Sequence, residues 1–216
     1  MRDFPIFTTE YGVSSLVLRE NPYRKEAYIN IRDVQPGKWQ DHMKECVSFC
    51  RMAGAEKIYA SGDGLETWPV YTRVIVMQGQ AVPDSALVRH VFPVTEETVS
   101  HWRQLHNEVM RRVDKAGTLE KRDEAKILAK PGACFVHESG HLLGIGWLED
   151  NKLLAVAAVE KGAGRRVMHT LLSLMEGETI TLEVASTNQR AICLYDSLGF
   201  LKTGVSMVWH DVTGLK

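Results

Sequence analysis

The 216-residue sequence predicts an α/β fold, and three observations carry that expectation. An apolar strand, Leu153 to Val159, runs through Glu160-Lys161 into a Gly162-Ala163-Gly164 turn, and a helical stretch opens at Gly164. A second strand, around Leu182 and Val184, is followed by Asn188 and then by Ala191, Leu194, Tyr195 and Leu198 at helical spacing, with Gly199 as the stop. Elsewhere, short β-branched and aromatic runs alternate with amphipathic stretches, the pattern of strands that need helices to cover them.

Composition sets the frame. The apolar share is 44% and the charged share 25%, ordinary values for a globular chain with a real core. A net charge of −1 offers no field for nucleic acid or a membrane surface, so neither is expected as a partner. The opening MRDFPIFTTEYG lacks the apolar core of a signal peptide, and no apolar run approaches the ~18–20 residues that span a bilayer. Cys46, Cys50, Cys134 and Cys193 are scattered, which suits reduced thiols in a cytoplasmic protein. Cys46 and Cys50 lie four apart on an expected helix and read as core packing rather than half of a metal site.

Taken in order, Ser15–Leu18 and Ala27–Ile31 read as strands parted by a turn at Glu20-Asn21-Pro22-Tyr23. Trp39, Met43, Cys46, Val47 and Cys50 recur at helical period up to Met52, and Gly54 closes that helix. Lys57–Ala60 and Tyr71–Val76 are further strands around Ser61-Gly62-Asp63-Gly64, and residues 80–85 read as a linker. The expected division is therefore a strand-rich unit at 1–84 and a catalytic domain at 85–216. In the second part Leu87–Pro93 is a strand, Thr95 is the N-cap of a helix of about 18 residues, and Leu119–Ala129 is a second helix. Strands at 133–137, 141–148 and 152–159 follow, then a helix at 164–175, a strand at 179–185, a helix at 188–198 and a hairpin at 201–212.

The Gly162-Ala163-Gly164 turn is where the pattern meets chemistry. Backbone N–H groups of such a turn and of the helix start have no internal partners, so together they form an anion site. Arg165 and Arg166 would oppose the helix dipole, at a cost of about 0.3–1 kcal/mol each, unless an anion sits there.

Leu182-Glu183-Val184, then Asn188, then Ala191-Ile192-Cys193-Leu194-Tyr195-Asp196-Ser197-Leu198-Gly199-Phe200 resembles the C-terminal signature of the GNAT (GCN5-related N-acetyltransferase) superfamily. The strand and glycine turn before it resemble that family's pyrophosphate loop, and the element order from about residue 86 is similar to the family order. The Leu-Glu-Val segment is similar to that of the ribosomal-protein N-terminal acetyltransferases. The resemblance implies a mixed, mostly antiparallel sheet, splayed beside Val159, with helices on both faces. It implies acetyl-coenzyme A as co-substrate and a small-molecule or peptide amine as acceptor. The backbone of Ala157, Ala158 and Val159 would meet the pantetheine arm, and an amide near Val159 would hold the oxyanion. The amides from Lys161 through Gly162, Ala163, Gly164 and Arg165 to Arg166 would hold the pyrophosphate. Glu183 would be the general base, Tyr195 the general acid, and Asn188 would set the helix start beside the cofactor. Val159 stands where the family usually has Arg or Gln, which keeps a non-catalytic coenzyme-binding protein as the alternative.

His137-Glu138-Ser139-Gly140-His141 matches the H-E-x-x-H pattern of zinc proteases, which requires both histidines on one helix face. Pro131-Gly132 upstream, the strand-forming Cys134-Phe135-Val136 and the glycines at 140, 144 and 146 oppose a helix. The expectation is a hairpin turn at Ser139-Gly140 and no metal. The strand–strand–helix–strand order of the first 80 residues echoes half of the same family fold, which raises a degenerate duplicate as a further expectation.

Overall fold

The computed structural model describes residues 5–80, 89–113, 116–175 and 179–215. In chain order the N-terminal part forms β1 (Ile6–Thr8), β2 (Gly12–Val17), α1 (Asn21–Arg24), β3 (Glu26–Val34), α2 (Trp39–Met52), β4 (Lys57–Ser61) and β5 (Val70–Gly79). It continues with β6 (Arg89–Pro93), α3 (Val99–Met110), α4 (Glu124–Ala129), β7 (Ala133–Glu138), β8 (His141–Glu149) and β9 (Lys152–Ala158). The chain then adds α5 (Gly164–Ser173), β10 (Ile180–Ala185), α6 (Gln189–Asp196) and β11 (Leu201–Asp211).

These elements fall into two compact units, Met1–Arg73 with Val205–Lys216, and Val74–Gly204. The division differs from the 84/85 boundary read from the sequence. Val74–Gly79 belongs with the second unit and the last twelve residues belong with the first. Residues 81–88, most of the expected linker and the start of the expected strand at 87, lie outside the described residues.

In the first unit β1, β2 and β3 pair antiparallel, β3 and β4 pair parallel through the crossover helix α2, and β11 pairs antiparallel with β4. A parallel pair needs such a crossover, and the amphipathic α2 supplies it. Met43, Cys46, Val47 and Cys50 on α2 pack with Leu16, Ile29, Ile58 and Ala60, all at most 2% exposed. Burial pushes the thiols of Cys46 and Cys50 up to about 11 and about 12, so both stay protonated and pack as small apolar groups.

The second unit orders its strands β5-β10-β9-β8-β7-β6, antiparallel except for the parallel β10/β9 pair. One face carries Met77, Val136, Leu143, Leu153, Leu182 and Val184 against Val167, Met168, Leu171 and Leu172 of α5 and Ile192 and Tyr195 of α6. The other buries Phe135, Ile145 and Ala157 under Trp102 of α3 and Ile127 of α4. Gly144 and Gly146 on β8 explain why α5 sits so close. A Cβ on Gly146 would fall 2.3 Å from Leu171 Cδ2, and one on Gly144 would fall 2.8 Å from Val167 Cγ2.

Several local expectations change. The hairpin expected at 201–212 is one extended strand, β11, because Gly204 keeps an extended backbone and both ends find partners. Thr203 Oγ1 donates to Val76 O at 3.4 Å, while His210 and Asp211 pair with Ala60 and Tyr59. Helix α3 has 12 residues and its N-cap is Thr98, not Thr95. Thr95 lies one turn earlier, where its carbonyl accepts from the Thr98 and Val99 amides. The turn at Asn21-Pro22 is the one-turn helix α1, and β1 is a strand that no periodicity announced.

Candidate active site: a splayed strand pair and the loop above it

β9 and β10 pair at only two register positions, Thr181↔Lys152 and Leu182↔Leu153. Beyond them each strand follows its other neighbour. β9 stays with β8 as far as Gly144↔Ala158, and β10 stays with β5 as far as Ala185↔Val74. The divergence begins at a bulge. Leu148 faces Leu153 and Trp147 faces Ala155, so Leu154 has no partner on β8 and stands 44% exposed. A bulge adds local twist and bends its strand, and here it turns β9 away from β10.

The edges of the gap carry unpaired backbone. Val159 N–H donates to Leu143 O at 2.9 Å, which makes residues 155 and 157 the hydrogen-bonded partners of β8. By alternation Val156 and Ala158 turn their N–H and C=O groups toward the gap. The Val159 amide expected to hold an oxyanion is therefore already spent, and the Glu160 amide donates to the same carbonyl at 3.1 Å. Sequence periodicity gives no sign of the bulge, and the phase of the backbone depends on it.

Above β9, Glu160 to Ala163 form a turn closed by Ala163 N–H to Glu160 O at 3.2 Å, with Gly162 at φ 87°. Nothing lies within 4 Å of a Cβ placed on Gly162, so the surface over the turn is open. Helix α5 begins on Ala163 with no side-chain cap, and the first intrahelical bond is Val167 N–H to Ala163 O. Among the described residues nothing accepts from the amides of Gly164, Arg165 and Arg166. These are the orphan donors of a helix start, and they follow directly on the Gly162 turn.

The two arginines are not idle. Arg165 Nη2 donates to Ser197 Oγ on the turn after α6 at 2.7 Å. Arg166 is bracketed by Glu138 at the end of β7 and by Glu160 in the loop, the latter at 2.7 Å. The Arg166 charge is therefore already met by two carboxylates and does not wait for an anion. Sequence spacing gives no sign of the Glu138 contact, which spans 28 residues and depends on the β7–β8 register, whereas Glu160 reaches Arg166 from six residues away in the loop before α5.

Glu183 is the first residue of β10 past the last pair with β9, and it is exposed. Leu182 and Val184 turn into the α5/α6 cluster, so Glu183 points to the opposite face of the strand. Among the described residues no cation pairs with it. Tyr195 lies inside the α5/α6 cluster at 7% exposure, its ring 6.1 Å from Phe200. Its hydroxyl has no hydrogen-bond partner among the described residues, and burial pushes its pKa up to about 12. Asn188 Oδ1 accepts from Ala191 N–H at 3.2 Å and caps α6, while Gly199 leaves the helix at φ 83°. Glu183 and Tyr195 thus flank the splayed pair from opposite faces of β10.

Ser139 at φ 50° and Gly140 at φ 81° make a two-residue hairpin turn between β7 and β8. His137 faces Leu142, and His141 faces Glu138, so the histidines occupy two strands rather than one helix face. A cavity of about 530 Å³ lined by Pro131, Gly132, Leu148, Asp150, Asn151, Leu174 and Met175 lies at the other end of β8 and β9, away from the glycine turn.

No protein-family profile matches the chain. Among curated proteins it is similar to the N-alpha-acetyltransferase RimI of Mycobacterium tuberculosis, with 37% identity over 54 residues. That match takes in 25% of this chain and 34% of RimI, so the chain spans about a third of the curated relative it matches. Among solved structures, a putative acetyltransferase from Pyrococcus horikoshii matches 93% of this chain and 69% of its own, with TM-score 0.58 and 12% identity. A GCN5-related N-acetyltransferase from Sphaerobacter thermophilus matches 92% of this chain and 75% of its own, with TM-score 0.53 and 12% identity. A tandem GNAT protein from the clavulanic acid biosynthesis pathway matches 93% of this chain and 79% of its own, with TM-score 0.52 and 12% identity. At such identities the structural likeness is one of fold. The chain thus has the fold of the GCN5-related N-acetyltransferases, with a strand pair that opens at a glycine turn, and carries a 54-residue segment similar to RimI.

Proposed function

We propose that the chain is an N-acetyltransferase that takes an acetyl group from acetyl-coenzyme A and transfers it to a primary amine on a small molecule or peptide. The observation that carries this reading is the opening of β9 from β10 directly below the uncapped start of α5. The residues fit such a co-substrate. Orphan amides from Gly164 to Arg166 and the open surface over Gly162 suit a pyrophosphate, and the free edge at Val156 and Ala158 suits an extended amide-bearing arm. Among the cofactor contacts read from the sequence, Lys161, Gly162, Gly164, Arg165, Asn188 and the amide of Arg166 remain candidates, whereas the Ala163 amide is spent on Glu160 O and the Arg166 side chain ties the loop to β7.

When bound, the co-substrate supplies an activated thioester. The chain's own part is proton management and orientation. An amine is mostly protonated at neutral pH, and exposed Glu183 is the carboxylate in reach of the gap that can take its proton, directly or through water. An N–H at Val156 or Ala158 replaces Val159 as the oxyanion donor. Buried Tyr195 keeps its phenolic proton at neutral pH and has it to give to a leaving thiolate.

A second reading, a coenzyme-binding protein without turnover, is favoured by one observation: the carboxylates of Glu138 and Glu160 stand beside the loop meant for an anion. Calorimetric titration with acetyl-coenzyme A, followed by thiol release across a panel of amines, separates the two. Micromolar binding with acceptor-dependent thiol release is the expected result. Binding without release for any amine class selects the second reading, and no binding removes both.

A further inference from the structure

The two units repeat one plan. In the second, β7, β8 and β9 pair antiparallel, α5 crosses to the parallel strand β10, and an antiparallel strand closes the far side. In the first, β1, β2 and β3 pair antiparallel, α2 crosses to the parallel strand β4, and an antiparallel strand again closes the far side. The loops that feed the two crossover helices agree in detail. Lys38 N–H donates to Gln35 O at 3.0 Å as Ala163 N–H donates to Glu160 O at 3.2 Å. Gly37 at φ 74° and Gly162 at φ 87° both stand two residues before the first helical residue. Neither helix has a side-chain cap, and the first helical bonds are His42 N–H to Lys38 O and Val167 N–H to Ala163 O.

The closing strands are exchanged. The strand that follows β4 in the chain is β5, and its Val74–Gly79 stretch closes β10 in the second unit. The strand that follows α6 is β11, and its His210 and Asp211 close β4 in the first.

The copies differ where the cofactor cleft would be. β3 and β4 pair at five successive positions, from Glu26↔Lys57 to Asn30↔Ser61, and Ser61 is the last residue of β4. β10 instead extends three residues past its last pair with β9, from Glu183 to Ala185. The first copy also lacks a counterpart of α6: β4 leads into the loop beginning Gly62-Asp63-Gly64, with no capping Asn and no buried Tyr.

We infer that the N-terminal unit is a second copy of the coenzyme-binding half, zipped shut between β3 and β4, so that each chain holds one coenzyme A. This rests on the acetyltransferase reading for the open copy. The first test is the stoichiometry of coenzyme A binding to the intact chain, by native mass spectrometry, with hydrogen exchange to locate it. One molecule per chain with protection at 159–166 and none at 35–42 is expected. Two per chain, or protection at 35–42, would overturn the inference.

A second measurement does not depend on the ligand. Residues directly opposite in a parallel pair are close enough to bridge. In an intact chain carrying Cys193→Ser, the pair Asn30→Cys with Ser61→Cys should form a disulfide under mild oxidation. Val156→Cys with Val184→Cys should not. If the first pair stays reduced, or both bridge, the contrast between a closed and an open copy is wrong. Bridging of the first pair alone, in a chain that binds no coenzyme, would discard the acetyltransferase reading while leaving the closed copy established.

Discussion

Tyr195 and Glu183 differ in what their surroundings do to them. A phenol raised to about 12 by burial is a reservoir for one proton at any physiological pH, whereas Glu183 is exposed and ready to exchange with water. Tyr195→Phe should lower acceptor-dependent thiol release by about 10²-fold, within the range ascribed to general acid–base groups, while calorimetry finds coenzyme A affinity within about 2-fold of the original. Glu183→Gln should lower turnover to a similar degree with coenzyme A affinity likewise unchanged, and turnover equal to that of the original chain would assign the base elsewhere. Asn188 acts on stability: removing the Oδ1 that accepts from Ala191 N–H should cost about 1 kcal/mol, read as a lower urea midpoint for Asn188→Ala.

At the scale of elements, the contact between β8 and α5 and the polar centre under α2 make opposite demands. Gly146 leaves no room for a side chain against Leu171, so Gly146→Val should overpack the helix by about 1–3 kcal/mol and displace the glycine turn that α5 carries. Coenzyme A affinity should fall together with the thermal midpoint. Under α2, His42 is fully buried, with Thr9 Oγ1 on Nδ1 and Ser14 Oγ on Nε2, each at 2.8 Å, and Cys46 Sγ at 3.6 Å. Burial holds its pKa below the usual histidine value, against a smaller opposing pull from Glu45. His106 is lowered by burial as well. The neutral ring is the folded form, so this contribution to stability is complete above the ordinary histidine pKa and is lost as pH falls through the depressed one. Urea midpoints should therefore drop between pH 7 and pH 5, and the drop should shrink in His42→Gln.

At the scale of the molecule, the exchange of β5 and β11 decides what can be separated. A chain starting at residue 85 lacks Val74–Gly79, the partner of β10 at Glu183↔Val76, and lacks Gly79, whose missing Cβ gives Phe200 its place. Its β10 edge would be bare and prone to pair with other copies. Such a fragment should elute as aggregate on size exclusion and lose cooperative unfolding, whereas the intact chain should unfold in a cooperative transition. A soluble, cooperatively folding 85–216 fragment would show that β5 is dispensable to the second unit.

The sequence alone determined the elements whose signals are local. The helical stripe of Trp39–Met52, the Asn188 cap, the Gly199 exit and the inward pair Leu182 and Val184 all rest on side-chain period or on a backbone position, which neighbouring residues suffice to set. The glycine turn before α5 was legible for the same reason. Tertiary structure decided everything that depends on which strand lies beside which. Periodicity says that a strand exists and which face is apolar, but its backbone edges are satisfied by partners far away in the chain. That is why Leu201–Asp211 became one strand, why the unit boundary moved to Val74, and why the Val159 amide was taken by Leu143. For the same reason the opening between β9 and β10, and its closed counterpart between β3 and β4, belong to pairing register and not to any motif in the sequence.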